Sequence, residues 1–192
     1  HINPNVAANY SNEMAITDTL IHEIDEMHWL LDDDYASIQI TYPRQSSQVT
    51  NEGLRDPQLA TLTTKKGTVI QVLVHVTAQY GYEVKLEVVG ETGELKLPDY
   101  GFEPIVRTQA TQQTAMETSW VNRFLQAYNT EVQEFIDHVA KDQSPVGPSA
   151  WDGYVAAVTA EAAIRSQKDQ EPVLINVAET PTFYQTNQPV KA

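Results

Sequence analysis

Cysteine is absent from the 192 residues, which removes disulfides, thiolate zinc sites and cysteine nucleophiles together. Basic residues are scarce: 12 Lys and Arg stand against 26 Asp and Glu, a formal net charge of −14. So acidic a surface repels phosphate backbones and anionic lipid, and neither nucleic acid nor a membrane surface is an expected partner. No apolar run of spanning length and no basic-then-apolar start occurs in the sequence, so it reads as neither membrane span nor signal peptide. Together with the missing thiols, this fits a cytoplasmic address. Glycine is sparse too, at eight residues. The nearest spacings, Gly90/Gly93 and Gly147/Gly153, build no phosphate cradle, and neither a Gly-x-Gly-x-x-Gly nor a Gly-Lys-Ser/Thr loop is present. These residues therefore offer neither of the two common nucleotide-binding loops.

Hydrophobic residues make up 41% of the chain, enough for a core in one ordinary domain. His1 to Thr17 reads as polar and irregular, with an abrupt start that suggests a fragment of a longer protein. From Asp18 to Leu31 the period becomes helical: Leu20, Ile21, Ile24, Met27 and Leu31 share one sector, while Glu23 and Glu26 fall on a side expected to be solvated. Strands follow at Ser37–Tyr42, Gln58–Thr64 and Thr68–Gln79, then Glu83–Val89 turning through Gly90–Gly93 into Glu94–Leu97. Pro98 to Thr118 reads as loop. A helix over Trp120–Lys141 carries an expected inner stripe of Trp120, Phe124, Tyr128, Val132, Phe135, Ile136 and Val139. Ser149 is the N-cap expected for an Ala-rich helix to about Gln167, with a short strand at Val173–Val177 and an irregular tail. This order predicts an α+β domain with an open, mostly antiparallel sheet and helices packed on one face. The other face, carrying Gln71, Leu73, His75 and Thr77, is either a subunit interface or plain solvent-facing surface.

Chemistry concentrates on the first helix. Asp18, His22 and Asp25 recur at i, i+4 and i+7 and form a narrow polar stripe. A carboxylate beside an imidazole orients the ring and favours its protonated form, which suits a general base near neutral pH. The alternative is an ion pair on a solvated face, worth about 0.3–0.5 kcal/mol. A metal site is not expected: His22-Glu23 opens a zincin-like pattern, but Glu26 stands where its second histidine would be. Tyr80-Gly81-Tyr82 closes the strongest strand. Alternation places both phenols on one side, where they serve either polyol recognition or the capping of a core. No Gly-x-Ser-x-Gly accompanies any serine, so nucleophilic hydrolysis has no support.

Several stretches then carry a resemblance: Asp18-Thr-Leu-Ile-His22-Glu-Ile-Asp25 with Trp29-Leu30-Leu31, His1-Ile-Asn-Pro4, Tyr80-Gly-Tyr82, Val88 to Pro98, Gly147-Pro-Ser-Ala-Trp-Asp-Gly-Tyr154 and Phe183-Tyr-Gln185. Over nearly its whole length the chain resembles the glucose–fructose oxidoreductase/inositol dehydrogenase/rhizopine catabolism (Gfo/Idh/MocA) family, and within it the inositol-oxidising branch. The resemblance implies that residues 1–192 are one C-terminal substrate-binding and oligomerisation domain, with a Rossmann domain for NAD, or NADP, outside this sequence. It implies oxidation of a ring hydroxyl of myo-inositol, with His22 as base and Asp18 orienting it. Asn3, Thr19, Asp25, Tyr80 and Tyr82 match positions lining a polyol pocket, and a homotetramer would form through the open sheet face. The fragment alone is expected to be inactive. His1-Ile2-Asn3 departs from the family in its middle position, where relatives often carry a basic residue. Two alternatives stand beside this reading: a related sugar or scyllo-inositol NAD(P) oxidoreductase, and a non-catalytic acidic scaffold of the same fold.

Overall fold

In the computed structural model the described residues are 1–4, 6–97, 105–108, 111–144 and 146–185, with backbone alone for 105–108 and 111–114. The expected irregular tail beyond Gln185 lies outside them. The first helix begins earlier than its apolar period indicates. Ser11 caps α1 (Asn12–Met14) by accepting from the Met14 amide, a π-helical stretch covers Ala15–Leu20, and α2 continues over Ile21–Leu31. Residues 12–17 are thus helical rather than irregular. The cause is long-range: Asn12 receives the Arg55 amide at 2.7 Å, and its carbonyl receives the Gln167 side chain at 2.7 Å. Asp32, in the left-handed region at φ 50°, ends the helix.

The central sheet orders as β3 (Val69–Val74), β2 (Gln58–Thr64), β1 (Tyr35–Thr41) and β8 (Val173–Leu174), each neighbouring pair antiparallel. Ile38 and Ile40 of β1 face the same core as Ala60 and Leu62 of β2 and Val72 and Val74 of β3. A register shift between Tyr35 and Ser37 brings the Tyr35 ring onto that side, where its hydroxyl donates to the Ile24 carbonyl at 2.6 Å. The π-helical stretch and α4 (Ala150–Asp169) cover this face, with α2 packed against α4. Ser149 and Asp152 form a reciprocal capping box at the start of α4, and buried Ser166 ties that helix to β1 by accepting from the Ile40 amide at 2.9 Å. Gln71 and Leu73 lie exposed on the opposite, open face.

Other sequence readings change too, and β3 stops at Val74, short of the expected Gln79. Among residues expected to be loop, β6 (Ile105–Thr108) and β7 (Thr111–Thr114) pair as a hairpin; their Gln and Thr content hides the alternation that marks a strand. Of the expected strand Glu83–Val89, only β4 (Glu87–Val89) pairs with β5 (Glu94–Lys96). The stripe expected on the inner side of α3 (Trp120–Ala140) is open: Trp120, Tyr128, Val132, Phe135, Ile136 and Val139 are all exposed, since no described element of this chain lies over them. A final short helix, α5 (Thr182–Gln185), stacks Tyr184 on Trp151 at 6.2 Å. Among the described residues, no helix is long and apolar enough to cross a membrane.

Candidate active site

The first residues of the chain complete the site. Ile2 exchanges both backbone hydrogen bonds with Glu83 (2.7 and 3.0 Å), and the chain runs parallel to the end of β3, with the His75 amide donating to His1 and the Asn3 amide to His75. An extended segment places every second side chain on one side, so His1 and Asn3 both line a cavity of about 650 Å³. Asp18 and His22 enter the same cavity from the first helix, one turn apart, and Tyr82 enters from the segment after β3. Tyr10 and Met14, with Trp120, Phe124 and Tyr128 of α3, supply much of the apolar wall.

Four rings meet within it. The His1 ring lies edge-on to Tyr82 at 5.4 Å and stacks near His22 at 6.4 Å, while Tyr82 meets Phe124 at 6.1 Å. His22 and Asp18 are both exposed to the cavity and its mouth. The Asp18 carboxylate accepts from the Thr17 hydroxyl at 2.8 Å rather than from His22, so a ligand entering the cavity meets both groups.

The remaining predicted residues lie apart. Thr19 is buried behind the wall; its hydroxyl shares a 2.8 Å hydrogen bond with Tyr10, whose own hydroxyl donates to the Met14 carbonyl. Asp25 sits a turn beyond His22, where burial first and the Asp152 charge second raise its carboxyl pKa above the ordinary value. Tyr80 does not share a side with Tyr82: Gly81 between them has φ +137°, which breaks the alternation. Tyr82 is 4% exposed in the first cavity. Tyr80 is 54% exposed and lines a second cavity of about 610 Å³ between β3 and the β4–β5 hairpin. Gly81 does permit the close approach expected of it, because an added Cβ would lie 3.0 Å from Met116 Cβ and 3.1 Å from the Glu117 carbonyl.

Glu23 is a correction and an addition. Helical periodicity puts it on the solvated side, yet it is 8% exposed because the His1–Asn3 segment covers that side. Its Oε1 accepts from His1 Nδ1 at 2.6 Å. Neighbouring Glu26 is half-buried, and burial followed by the Glu23 charge raises its pKa. The sequence reading also missed His1 as a lining residue, although its i, i+2 relation to Asn3 in an extended segment was the available signal. Among the described residues, no cluster of three or more His, Asp or Glu is arranged to hold a metal ion.

The oxidoreductase-family model described as the C-terminal alpha/beta domain (GFO_IDH_MocA_C) matches residues 6–175. The chain belongs to this Gfo/Idh/MocA oxidoreductase family. It is 81% identical over 192 residues to inositol 2-dehydrogenase/D-chiro-inositol 3-dehydrogenase of Lacticaseibacillus casei, covering all of this chain and 56% of that one. It is 49% identical over 184 residues to inositol 2-dehydrogenase of Klebsiella pneumoniae, covering 96% and 54%. A crystal structure of myo-inositol dehydrogenase from Lactobacillus casei in complex with NAD(H) and myo-inositol superposes with TM-score 0.93 at 84% identity, covering 96% of this chain and 55% of that one. The chain spans about half the length of the curated relatives it matches. The expected open sheet with helices on one face is therefore the fold of the family's C-terminal domain.

Proposed function

We propose that this Gfo/Idh/MocA chain is the substrate half of a longer NAD-dependent enzyme that oxidises a ring hydroxyl of myo-inositol to a ketone. The observation that carries the reading is the convergence of His1, Asn3, Asp18, His22 and Tyr82 on one cavity, in a chain so similar to a myo-inositol dehydrogenase. A cyclic polyol is neutral and carries a hydroxyl on every ring carbon. Each hydroxyl left unpaired on burial is costly, so its site needs many short donors and acceptors around apolar walls. This cavity supplies imidazoles, carboxylate, amide and phenol against Trp120, Phe124 and Tyr128.

His22 takes the hydroxyl proton as the carbinol carbon is oxidised, and the imidazole ring holds it as imidazolium. Asp18, one turn away, hydrogen-bonds a neighbouring hydroxyl and stabilises that imidazolium by its charge. Asn3 and Tyr82 fix the ring from the opposite wall. Thr19 acts from behind, through its bond to Tyr10, while Asp25 and Tyr80 act from the margins. NAD, when bound, supplies the hydride acceptor. No glycine-rich loop of this chain fits its pyrophosphate, so we assign its binding to the remainder of the parent enzyme. We assign a cytoplasmic address and a homotetramer to the parent enzyme, and the exposed Leu73 and Val69 on the open face are the surface available for subunit contact.

The test is NADH formation by the full-length parent, offered inositol isomers and aldoses with NAD or NADP. Turnover of myo-inositol with NAD is expected. Activity on an aldose alone would keep the His22 chemistry and discard the substrate, and no activity on any of them would support the scaffold alternative.

A further inference from the structure

The Glu23 carboxylate has no explanation in packing. It is buried on α2, its Oε1 takes a single hydrogen bond from His1 Nδ1 at 2.6 Å, and its Oε2 has no partner and no exposure. Only 4% of the His1 side chain and 11% of the Glu23 side chain remain accessible. A half-satisfied buried carboxylate is a poor way to hold a fold together, because an apolar side chain of similar volume fills the same space without desolvating a charge. Such a group is retained for what it does to its partner.

Its partner is a wall of the polyol cavity. A carboxylate only accepts, so His1 must carry its proton on Nδ1, which leaves Nε2 as the nitrogen to meet a ligand. The Tyr82 ring, perpendicular to the imidazole with centroids 5.4 Å apart, braces it from the side. We propose that Glu23 is a positioning residue for substrate: it locks the His1 ring, with a proton on Nδ1, so that Nε2 is aimed at a polyol hydroxyl to hydrogen-bond it. This rests on the functional reading above. Glu23 also borders the cavity, but its Oε1 is taken by His1 and its Oε2 is fully covered, so it acts on the polyol through His1 and governs how tightly the polyol binds rather than how fast it reacts.

The experiment compares Glu23→Met and Glu23→Gln in the full-length parent with three readouts: steady-state kinetics, thermal unfolding and the ¹⁵N resonances of the His1 ring. In Glu23→Met, KM for myo-inositol should rise about tenfold or more, with kcat changed less than about threefold and KM for NAD unchanged. The midpoint should stay within a few degrees of the parent. Glu23→Gln, whose amide oxygen still accepts from Nδ1, should recover most of the loss. The ring should be Nδ1-protonated in the parent and shift toward the Nε2-protonated form in Glu23→Met. An unchanged tautomer, an unchanged KM for the polyol, or a large loss of midpoint with kcat and KM failing together would each overturn the proposal. A parent inactive on every polyol would overturn the functional reading and the substrate half of this proposal. The ring resonances would then still decide whether Glu23 sets His1.

Discussion

Replacing Gly81 by alanine tests how the cavity wall is built. Gly81 has φ +137°, a backbone region that a side chain enters at a cost of about 1–3 kcal/mol. The new methyl would sit 3.0 Å from Met116 Cβ and 3.1 Å from the Glu117 carbonyl oxygen. Neither atom is the end of a flexible side chain, and that carbonyl also accepts the Tyr82 amide at 2.6 Å. Relief therefore requires moving backbone, which adds about 1–3 kcal/mol of overpacking. The sum, about 2–6 kcal/mol, lowers the unfolding midpoint by several degrees in the longer parent enzyme. Tyr82 follows the displaced segment and loses its edge contact with His1, so KM for the polyol should rise as well. Thermal denaturation and steady-state kinetics of Gly81→Ala in the parent enzyme read both effects. A variant as stable as the parent, with unchanged KM, would refute the reasoning.

Other perturbations separate the support from the site. Thr19→Val removes one buried hydrogen bond while leaving the Tyr10 hydroxyl its Met14 acceptor; denaturant unfolding should show a loss of about 1 kcal/mol. Ser149→Ala removes the side-chain half of the capping box at the start of α4 and leaves the residue-149 amide its Asp152 acceptor, and the same assay should show about 0.5–2 kcal/mol lost. Asp25 has its pKa raised by burial and by Asp152. The folded state therefore holds its proton more tightly than the unfolded chain, and its contribution is lost as pH rises through the folded value. Asp25→Asn should accordingly raise the midpoint at about pH 7 and leave it unchanged at about pH 3, where both states are protonated; a destabilised variant at neutral pH would contradict this.

Local signals carried well where the chain satisfies its own needs locally. The β2 boundaries, the Gly90–Gly93 hairpin and the Ser149 cap are each written in a few consecutive residues, and the structure has all three. The start of the first helix was not legible, because its residues are fixed by Arg55 and Gln167, far away in sequence. For the same reason Glu23 looked solvated: a helical period reports which residues share a side, not which segment of the chain will cover it. The i, i+4 spacing of Asp18 and His22 did place both in one cavity, while Asn3 and Tyr82 came from family resemblance. The Tyr80/Tyr82 alternation failed at one glycine torsion, which no periodicity can foresee.

The most direct test of the central claim is the turnover of myo-inositol by His22→Ala in the full-length parent, measured against a folding control by circular dichroism. If His22 takes the hydroxyl proton, kcat falls by about 10²–10⁴-fold with the fold intact. Turnover within a few-fold of the parent would show that the proton leaves by another route and that the cavity has been assigned the wrong base.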